Sequence, residues 1–468
     1  MNKVLLELII VAVIGYLISL YSPIPYISLV SLVYGIVQVI NLLNSFGKRL
    51  PFRELIISIM GVQMIIAPYL EYHYFQFRTI GGMAINEVDY FSYVLPCTIL
   101  LKVGLQVFYP SHPPDLRIFN TIASKARTNE KYGLGLILFG YAGYVAAELT
   151  NISSFAFLIY LLSLCRFIGF LYLWICNSRF TIPAFIFVII PFTIEAVNST
   201  ILVEVIVYFA ILLTILFLKL KSGRLVIYST FILAFLFLIL AQSVKYKYRI
   251  AVSKESFSGN RGLFFFQAMA NQVRNFDDLD LKRLGGGVNV RINQGWVLSD
   301  VLKHMMGREE KIEPKYFYRE VAGVLLPRFI YPAKPMVGDH KKFKEYTGYR
   351  LSKHVAMTVG LMGDGFGNFG YIGGMLYCLG FGMLMGWMFK VWYTLSEKYP
   401  TLLLWGVLIF FYSMRAGDET YTIINWVVKS SVLVLFYFYF IERSNSIKSY
   451  TKVLKGPAGG RNWRVQPA

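Results

Sequence analysis

Charged residues are scarce in this 468-residue chain, at 15% of the composition, whereas hydrophobic residues make up 56%. Soluble domains carry about 25% charged residues because their surfaces face water. The scarcity therefore excludes an ordinary soluble protein. The apolar residues also fall in blocks of roughly 20, the length of a helix that crosses a bilayer. We expect an all-α, polytopic integral membrane protein embedded in the lipid bilayer.

Cysteine and histidine are also few, with four and five residues respectively. The cysteines lie in or beside apolar blocks without CxxC spacing, and the chain contains no HExxH, Walker or dinucleotide-binding motif. The sequence therefore predicts no metal site, no disulfide framework and no cofactor.

Acidic residues number only 26 against 46 Lys and Arg, which gives a net charge of +20. Much of the positive charge lies in alternate short loops between apolar blocks, a pattern that orients membrane proteins. Nucleic acid is therefore not an expected partner. The pattern predicts that both termini are cytoplasmic. The first apolar segment, Val4–Tyr21, follows Lys3 and lacks a small-x-small cleavage site, so we expect a retained helix and not a signal peptide.

Apolar segments predict about twelve transmembrane helices, at 4–21, 25–44, 54–72, 90–109, 133–149, 153–177, 181–195, 198–218, 224–243, 366–390, 400–414 and 421–441. They divide the chain into an N-terminal membrane bundle of nine spans (1–244), one large outer loop domain (245–355), three C-terminal spans (356–441) and a basic cytoplasmic tail (442–468).

The outer loop is itself basic, with 21 Lys and Arg against 11 Asp and Glu between Lys245 and Val355, a net of +10. An excess of cations outside the membrane favours an anionic ligand. We expect helices at Gly262–Arg274 and Trp296–Met306, separated by a break at Gly285-Gly286-Gly287.

A proline-rich strip near the end of this loop, residues 325–335, holds two cations among aromatic residues. Its three prolines stiffen the backbone. Arg328 offers a planar fork for phosphate oxygens and Lys334 a point charge. The alternative is a strip that lies on the membrane with both cations at lipid headgroups.

A glycine-rich segment, residues 363–374, precedes the tenth span and contains Asp364 and Asn368. Free amides at the start of a helix favour an anion. Asp364 is a candidate proton acceptor and Asn368 a candidate sugar ligand. The alternative is glycine-mediated helix packing with a capping aspartate.

Further candidates are Arg415 and Asp418 in the last outer loop, where snorkelling and helix capping are the alternatives. Arg166 lies near the centre of the sixth span, where an ionisable group is a functional candidate. Among the loop histidines, His354 lies closest to the tenth span and is a candidate general base.

Two of these segments resemble the Wzy-type oligosaccharide repeat-unit polymerases of bacteria, which build O-antigen, capsule and exopolysaccharide. The strip reads PR-x-x-x-P-x-KP from Pro327 to Pro335, and the later segment reads GD-x-x-x-NFG-x-x-G from Gly363 to Gly373. The R-x-x-D pair of Arg415 and Asp418 is similar to a feature of the same family. These motifs cover roughly 325–420.

The resemblance implies a metal-independent glycosyltransferase of the GT-C type in the bacterial inner membrane. Its substrates would be undecaprenyl-diphosphate-linked oligosaccharides, and a chain-length regulator would be a partner. Arg328, Lys334 and Arg415 would stabilise the departing diphosphate, because developing negative charge needs fixed cations. His354, Asp364 and Asp418 would be the candidates for the base that activates the acceptor hydroxyl. Two alternatives stay open: a glycan ligase of the same fold, and a non-enzymatic transporter or flippase of lipid-linked glycans.

Overall fold

The computed structural model describes residues 2–442 with short gaps, and every regular element in the described part is helical. The gaps are 77–80, 111–114, 150–155, 200–211, 221–222, 253–260, 275–280, 309–311, 327–329, 337, 353–354 and 416. The helices are α1 (Asn2–Ser19), α2 (Tyr26–Ser45), α3 (Phe52–Phe75), α4 (Glu87–Phe108), α5 (Asp115–Ser124), α6 (Ala126–Leu149), α7 (Ala156–Ile175), α8 (Thr181–Ser199), α9 (Arg224–Val252), α10 (Arg261–Arg274), α11 (Leu281–Ile292), α12 (Gly295–Met305), α13 (Lys315–Leu325), α14 (His340–Thr347), α15 (Gly360–Lys398), α16 (Leu402–Ile409) and α17 (Thr420–Glu442).

Six of the described helices are long and apolar enough to cross a membrane, namely α2, α3, α4, α7, α15 and α17. Shorter apolar stretches occur in α1, α8 and α9. The all-α prediction is thus confirmed, whereas twelve crossings stay a prediction. The ninth expected span continues as α9 to Val252, beyond its expected end. The eleventh contains only the eight-residue α16 and a 3-10 turn, Tyr412–Met414, and this α-helix is too short to cross alone.

Helices α4 and α15 form an extended contact at the centre of the bundle. A Cβ at Gly104 would stand 2.3 Å from the carbonyl oxygen of Leu379, and one at Gly382 would stand 2.4 Å from that of Leu101. Only glycine allows the two backbones to approach this closely. The two helices run in the same direction. Tyr93, near the start of α4, packs on Tyr371, near the start of the long part of α15, and Tyr109, just after the end of α4, packs on Phe389 further along α15.

A break at Gly370 divides α15 into two helical segments. Gly370 has φ 71° and ψ −165°, a conformation that is essentially restricted to glycine. A Cβ at Gly365 would lie 3.0 Å from the carbonyl oxygen of Gly374, although residues nine apart in a straight helix are roughly 13 Å apart. The segment 360–369 therefore folds back against the start of the longer segment, and the glycine-rich motif forms a short helix of its own.

We call residues 245–355 the outer segment, after the position expected for them. Its helices dock directly on the candidate membrane helices. Two stretches of α3, Gly61–Ile66 and Glu71–Phe75, are π-helical, and the first leaves the Gln63 carbonyl free to accept the Gln294 amide at 3.1 Å. Glu71 is buried and accepts from the Asn289 amide at 3.1 Å. These bonds hold α11 and α12 against one end of the bundle, so the outer segment is packed on it.

The expected helices at 262–274 and 296–306 are confirmed as α10 and α12. The expected break at Gly285-Gly286-Gly287 is wrong, because these glycines lie inside α11. A Cβ at Gly285 would stand 3.2 Å from the ring of Phe75. Close packing of α11 on α3 therefore outweighs the low helix propensity of glycine.

Candidate functional site

A buried lysine surrounded by three carboxylates connects the outer segment to the membrane helices. The Lys342 ammonium lies 2.6 Å from Asp364 Oδ1 and 3.0 Å from Glu419 Oε2, and it also bonds to Glu320. The side chains of Lys342 and Asp364 are 2% and 0% exposed. We call these four residues the Lys342 cluster. Each belongs to or adjoins a different helix, so the cluster joins α13, α14, α15 and the start of α17.

The local sequence explains why Lys342 points inward. Helix α14 is capped at its start by Asp339, whose side chain accepts the Lys341 amide at 2.9 Å, and it ends at Gly348 with φ 79°. Asp or Asn at the start and glycine at the end are strong helix boundaries. The buried face of the resulting short helix holds Lys342, Phe343, Tyr346 and Thr347. Lys342 thus shares the face of two aromatic residues, whereas Lys341 and Lys344 are exposed.

Burial and the neighbouring carboxylates set the protonation of the cluster. Burial, together with the Asp364 charge, raises the pKa of Glu320 to about 8, so this carboxyl keeps its proton at neutral pH. Burial and the Asp364 charge also raise the pKa of Glu419. Burial alone would lower the pKa of Lys342, but Asp364, Glu419 and Glu320 outweigh it and hold that pKa well above its usual value. The ammonium is therefore a permanent cation.

Asp364 and Asn368 position helices and are not exposed to a substrate. Asp364 Oδ2 accepts the backbone amide of Thr420 at 3.0 Å, so it satisfies an amide at the start of α17. Asn368 accepts the Phe317 amide at 3.0 Å and donates to the Asp364 carbonyl at 2.9 Å. The expected roles of Asp364 as a base and Asn368 as a sugar ligand are not supported by this burial. The packing alternative accounts for Gly367, where a Cβ would meet the ring of Tyr346.

Three carboxylates of the cluster also offer oxygens within 4.8 Å of one another, which is the spacing of a metal site. Their oxygens converge on the Lys342 ammonium. A lysine among three carboxylates supplies the positive charge that a divalent cation would otherwise bring. These residues therefore fit an internal ion-pair cluster.

Arg415 and Asp418 form a more accessible pair beside the cluster. Arg415 Nε lies 3.0 Å from Asp418 Oδ2, and the two side chains are 28% and 11% exposed. The guanidinium also stacks on the ring of Tyr412 at 4.8 Å. Asp418 thus binds Arg415. Arg415 is the partly exposed member of the pair, whereas Asp418 is buried, although less deeply than Asp364.

The end of the proline-rich strip reaches the same place. The Tyr421 hydroxyl donates to the Pro335 carbonyl at 3.0 Å, and the Gly338 amide donates to Glu419 Oε1 at 3.3 Å. Lys334 is partly exposed, and its ammonium donates to the Leu326 carbonyl at 3.2 Å. Arg328 and His354 lie outside the described residues.

Arg166 occupies a different setting. It is 5% exposed on α7, and its guanidinium stacks on Tyr144 at 4.7 Å and Tyr141 at 5.4 Å, both on α6. A Cβ at Gly140 would stand 2.5 Å from the Arg166 amide, so the two helices are very close here. These contacts link α6 to α7, and none of them involves the Lys342 cluster.

Sequence reasoning missed Lys342, Glu320 and Glu419. Lys342 stands in a run of cations that resembles a solvated surface, yet its spacing from Tyr346 places both on one helical face. Glu320 similarly shares a buried face with Tyr316. An amphipathic analysis of these two short helices would have identified both as buried charges.

No protein-family model, curated protein or solved structure matches this chain.

Proposed function

We propose that this protein is a membrane glycosyltransferase that polymerises oligosaccharide repeat units carried on polyprenyl diphosphate, at the outer face of a bacterial inner membrane. One observation carries the proposal: the three motif segments of the polymerase resemblance meet at the start of α17. Pro335 contacts Tyr421, Asp364 contacts Thr420, and Arg415 with Asp418 directly precedes them. Segments far apart in sequence converge in this way when they build one site.

Burial divides the converging residues into two groups. The Lys342 cluster is closed to solvent and serves to hold the segments together. The partly exposed Arg415 and its less deeply buried partner Asp418 then carry the chemistry, with Lys334 as a second cation. Arg415 stabilises the negative charge that develops on the departing diphosphate. Asp418 accepts the proton of the attacking sugar hydroxyl, which leaves the glycosidic bond to form as the bond to the diphosphate breaks.

Buried polar atoms near this pair support a polar ligand. The Thr422 hydroxyl and Asn425 Oδ1 are buried within the first two turns of α17, and neither has a hydrogen-bond partner among the described residues. A buried polar atom without a partner costs roughly 1–3 kcal/mol. The hydroxyls of an oligosaccharide would satisfy both atoms.

The test is a reaction with purified protein. The full chain in detergent is given a lipid-linked repeat unit, and the products are released and separated by length. We expect a ladder of polymers from the wild type and only the input unit from the Arg415→Gln variant. A wild type that lengthens nothing, while remaining folded, contradicts the proposal.

A deletion strain separates the alternatives. Loss of a polymerase leaves single repeat units at the surface, whereas loss of a ligase leaves polymer on its lipid carrier. Loss of a flippase leaves the repeat units on the cytoplasmic side. Only the first pattern agrees with the proposed function.

A further inference from the structure

A polar cavity lies apart from the Lys342 cluster, in a different part of the bundle. It has a volume of about 430 Å³ and lies among the ends of α1, α2, α3 and α4. Lys102 of α4, which lines it, is nine residues beyond Tyr93, roughly 13 Å along the helix axis. Tyr93 itself bonds to Met362 near the cluster. The volume falls within the usual range of small-molecule sites.

The cavity contains more cations than anions. Four basic side chains line it, those of Lys48, Arg49, Arg53 and Lys102, against two carboxylates, those of Glu7 and Glu54. The formal balance is +2. This excess of positive charge in a confined space favours an anionic group.

The ion pairs in the cavity leave one oxygen without a partner. Lys102 bonds to Glu7 at 2.6 Å and to Gln38 Oε1 at 2.9 Å. Arg49 and Arg53 both bond to the same oxygen of Glu54, Oε1. Glu54 is only 7% exposed, and its Oε2 has no hydrogen-bond partner among the described residues. A ligand that fits must therefore supply both negative charge and a hydrogen-bond donor.

We propose that this cavity binds a phosphate ester that also carries a hydroxyl group. The phosphate oxygens would be held by Arg49, Arg53 and Lys48, since guanidinium groups bind phosphate with two parallel hydrogen bonds. The hydroxyl would donate a hydrogen bond to Glu54 Oε2 and so give this buried oxygen the partner that it lacks among the described residues. This inference is independent of the proposed glycosyl transfer, because it depends on a different set of helices.

Such an ester has two sources, a glycerophosphate lipid headgroup or a soluble sugar or glycerol phosphate. Native mass spectrometry of the full chain in detergent distinguishes them with three probes: dioleoylphosphatidylglycerol, dioleoylphosphatidylmethanol and glycerol 1-phosphate. Phosphatidylmethanol is the matched control, because its headgroup carries the same negative charge on phosphate but has no hydroxyl donor. We expect phosphatidylglycerol to bind roughly tenfold more tightly than phosphatidylmethanol, the effect of one charge-assisted hydrogen bond. Displacement of the lipid by glycerol 1-phosphate identifies a soluble ester, and no displacement identifies the lipid.

Two variants assign the binding to this cavity. Arg53→Gln should weaken phosphatidylglycerol binding roughly tenfold, whereas Arg224→Gln should leave it unchanged, because Arg224 is an exposed cation that does not line the cavity. Glu54→Gln should reduce the preference for phosphatidylglycerol over phosphatidylmethanol, because the carboxylate that accepts the hydroxyl is lost. Equal binding of the two lipids to the wild type, or equal losses in Arg53→Gln and Arg224→Gln, would overturn the proposal.

Discussion

Lys342 and Asp364 form a fully buried ion pair, with 2.6 Å between the ammonium nitrogen and Oδ1, that joins a helix of the outer segment to a membrane helix. Removing one partner of a buried pair leaves an uncompensated charge, which typically costs about 3–5 kcal/mol. The pair therefore governs how firmly the outer segment is held.

Lys342→Met should lower the stability of the protein by about 3–5 kcal/mol, because the charged Asp364 and Glu419 and the Glu320 carboxyl would share a buried site without a cation. The measurement is thermal unfolding in detergent with a thiol-reactive dye, since Cys97, Cys165, Cys176 and Cys378 are all buried in the folded chain. Lys344→Met is the matched control on the exposed side of α14 and should change the unfolding temperature little. Similar losses in both variants would contradict a special role for Lys342.

The stability of the cluster should depend on pH through Glu320. Its folded pKa of about 8 exceeds its ordinary value of 4.5, so the folded state holds a proton that the unfolded state releases. The stabilisation is full below pH 4.5 and is lost as pH rises through about 8. We expect the unfolding temperature of the wild type to fall between pH 5 and pH 8.5. Glu320→Gln should show a smaller fall, and an equal fall would exclude Glu320 as its source.

Asp364→Asn and Asp418→Asn should fail in different ways. Asp364 is inaccessible and bonds to Lys342 and Thr420, so its variant should reduce the amount of folded protein. Asp418 is less deeply buried and pairs with the partly exposed Arg415, so its variant should be folded and abundant but should make little polymer. Quantitative immunoblotting of membranes and gel analysis of polymer separate the two results. Abundant Asp364→Asn protein that lacks activity would restore Asp364 as a candidate base.

Arg415→Lys tests whether the planar guanidinium matters. Lysine keeps the charge but loses the Nε bond to Asp418 and the two-point contact with phosphate. We expect polymer yield to drop at least tenfold in the purified reaction, with an unchanged unfolding temperature. A yield equal to that of the wild type would mean that charge alone suffices at this position.

Gly370→Ala should destabilise the protein by about 1–3 kcal/mol, because alanine does not readily adopt its backbone conformation. Gly380 lies in the same helix, and a methyl group added there would meet no atom within 4 Å, so Gly380→Ala is the matched control. We expect that control to unfold at or slightly above the wild-type temperature. Unfolding of both variants at the same temperature would argue against strain at Gly370.

Hydropathy and composition were enough to predict helices and their approximate positions, because apolar runs of bilayer length have few alternatives. They did not predict the break at Gly370 or the continuous α11. In both cases glycines permit either a turn or close packing, and contacts distant in sequence decide between them. At Gly370 the chain folds back, whereas at Gly285 close packing against the Phe75 ring favours a continuous helix.

The candidate site was predicted in part. The convergence of the segments around Pro335, Asp364 and Arg415 agrees with the motif analysis, but the residue that binds them, Lys342, was not a candidate. Its partners Glu320 and Glu419 lie 22 and 77 residues away, so no local pattern reveals the pairing. Asp364 and Asp418 also differ in depth of burial, and the sequence alone does not show this difference between the two candidate bases.

Because Lys342 pairs with Glu419, the complete cluster can form only after a late part of the chain has been synthesised. The ribosome makes Lys342 77 residues before Glu419, so the outer segment emerges with a lysine that still lacks one partner. It can dock completely only when α17 has been synthesised and inserted. Chains that stall before this point would leave the Lys342 ammonium and the Gly338 amide without their Glu419 partner.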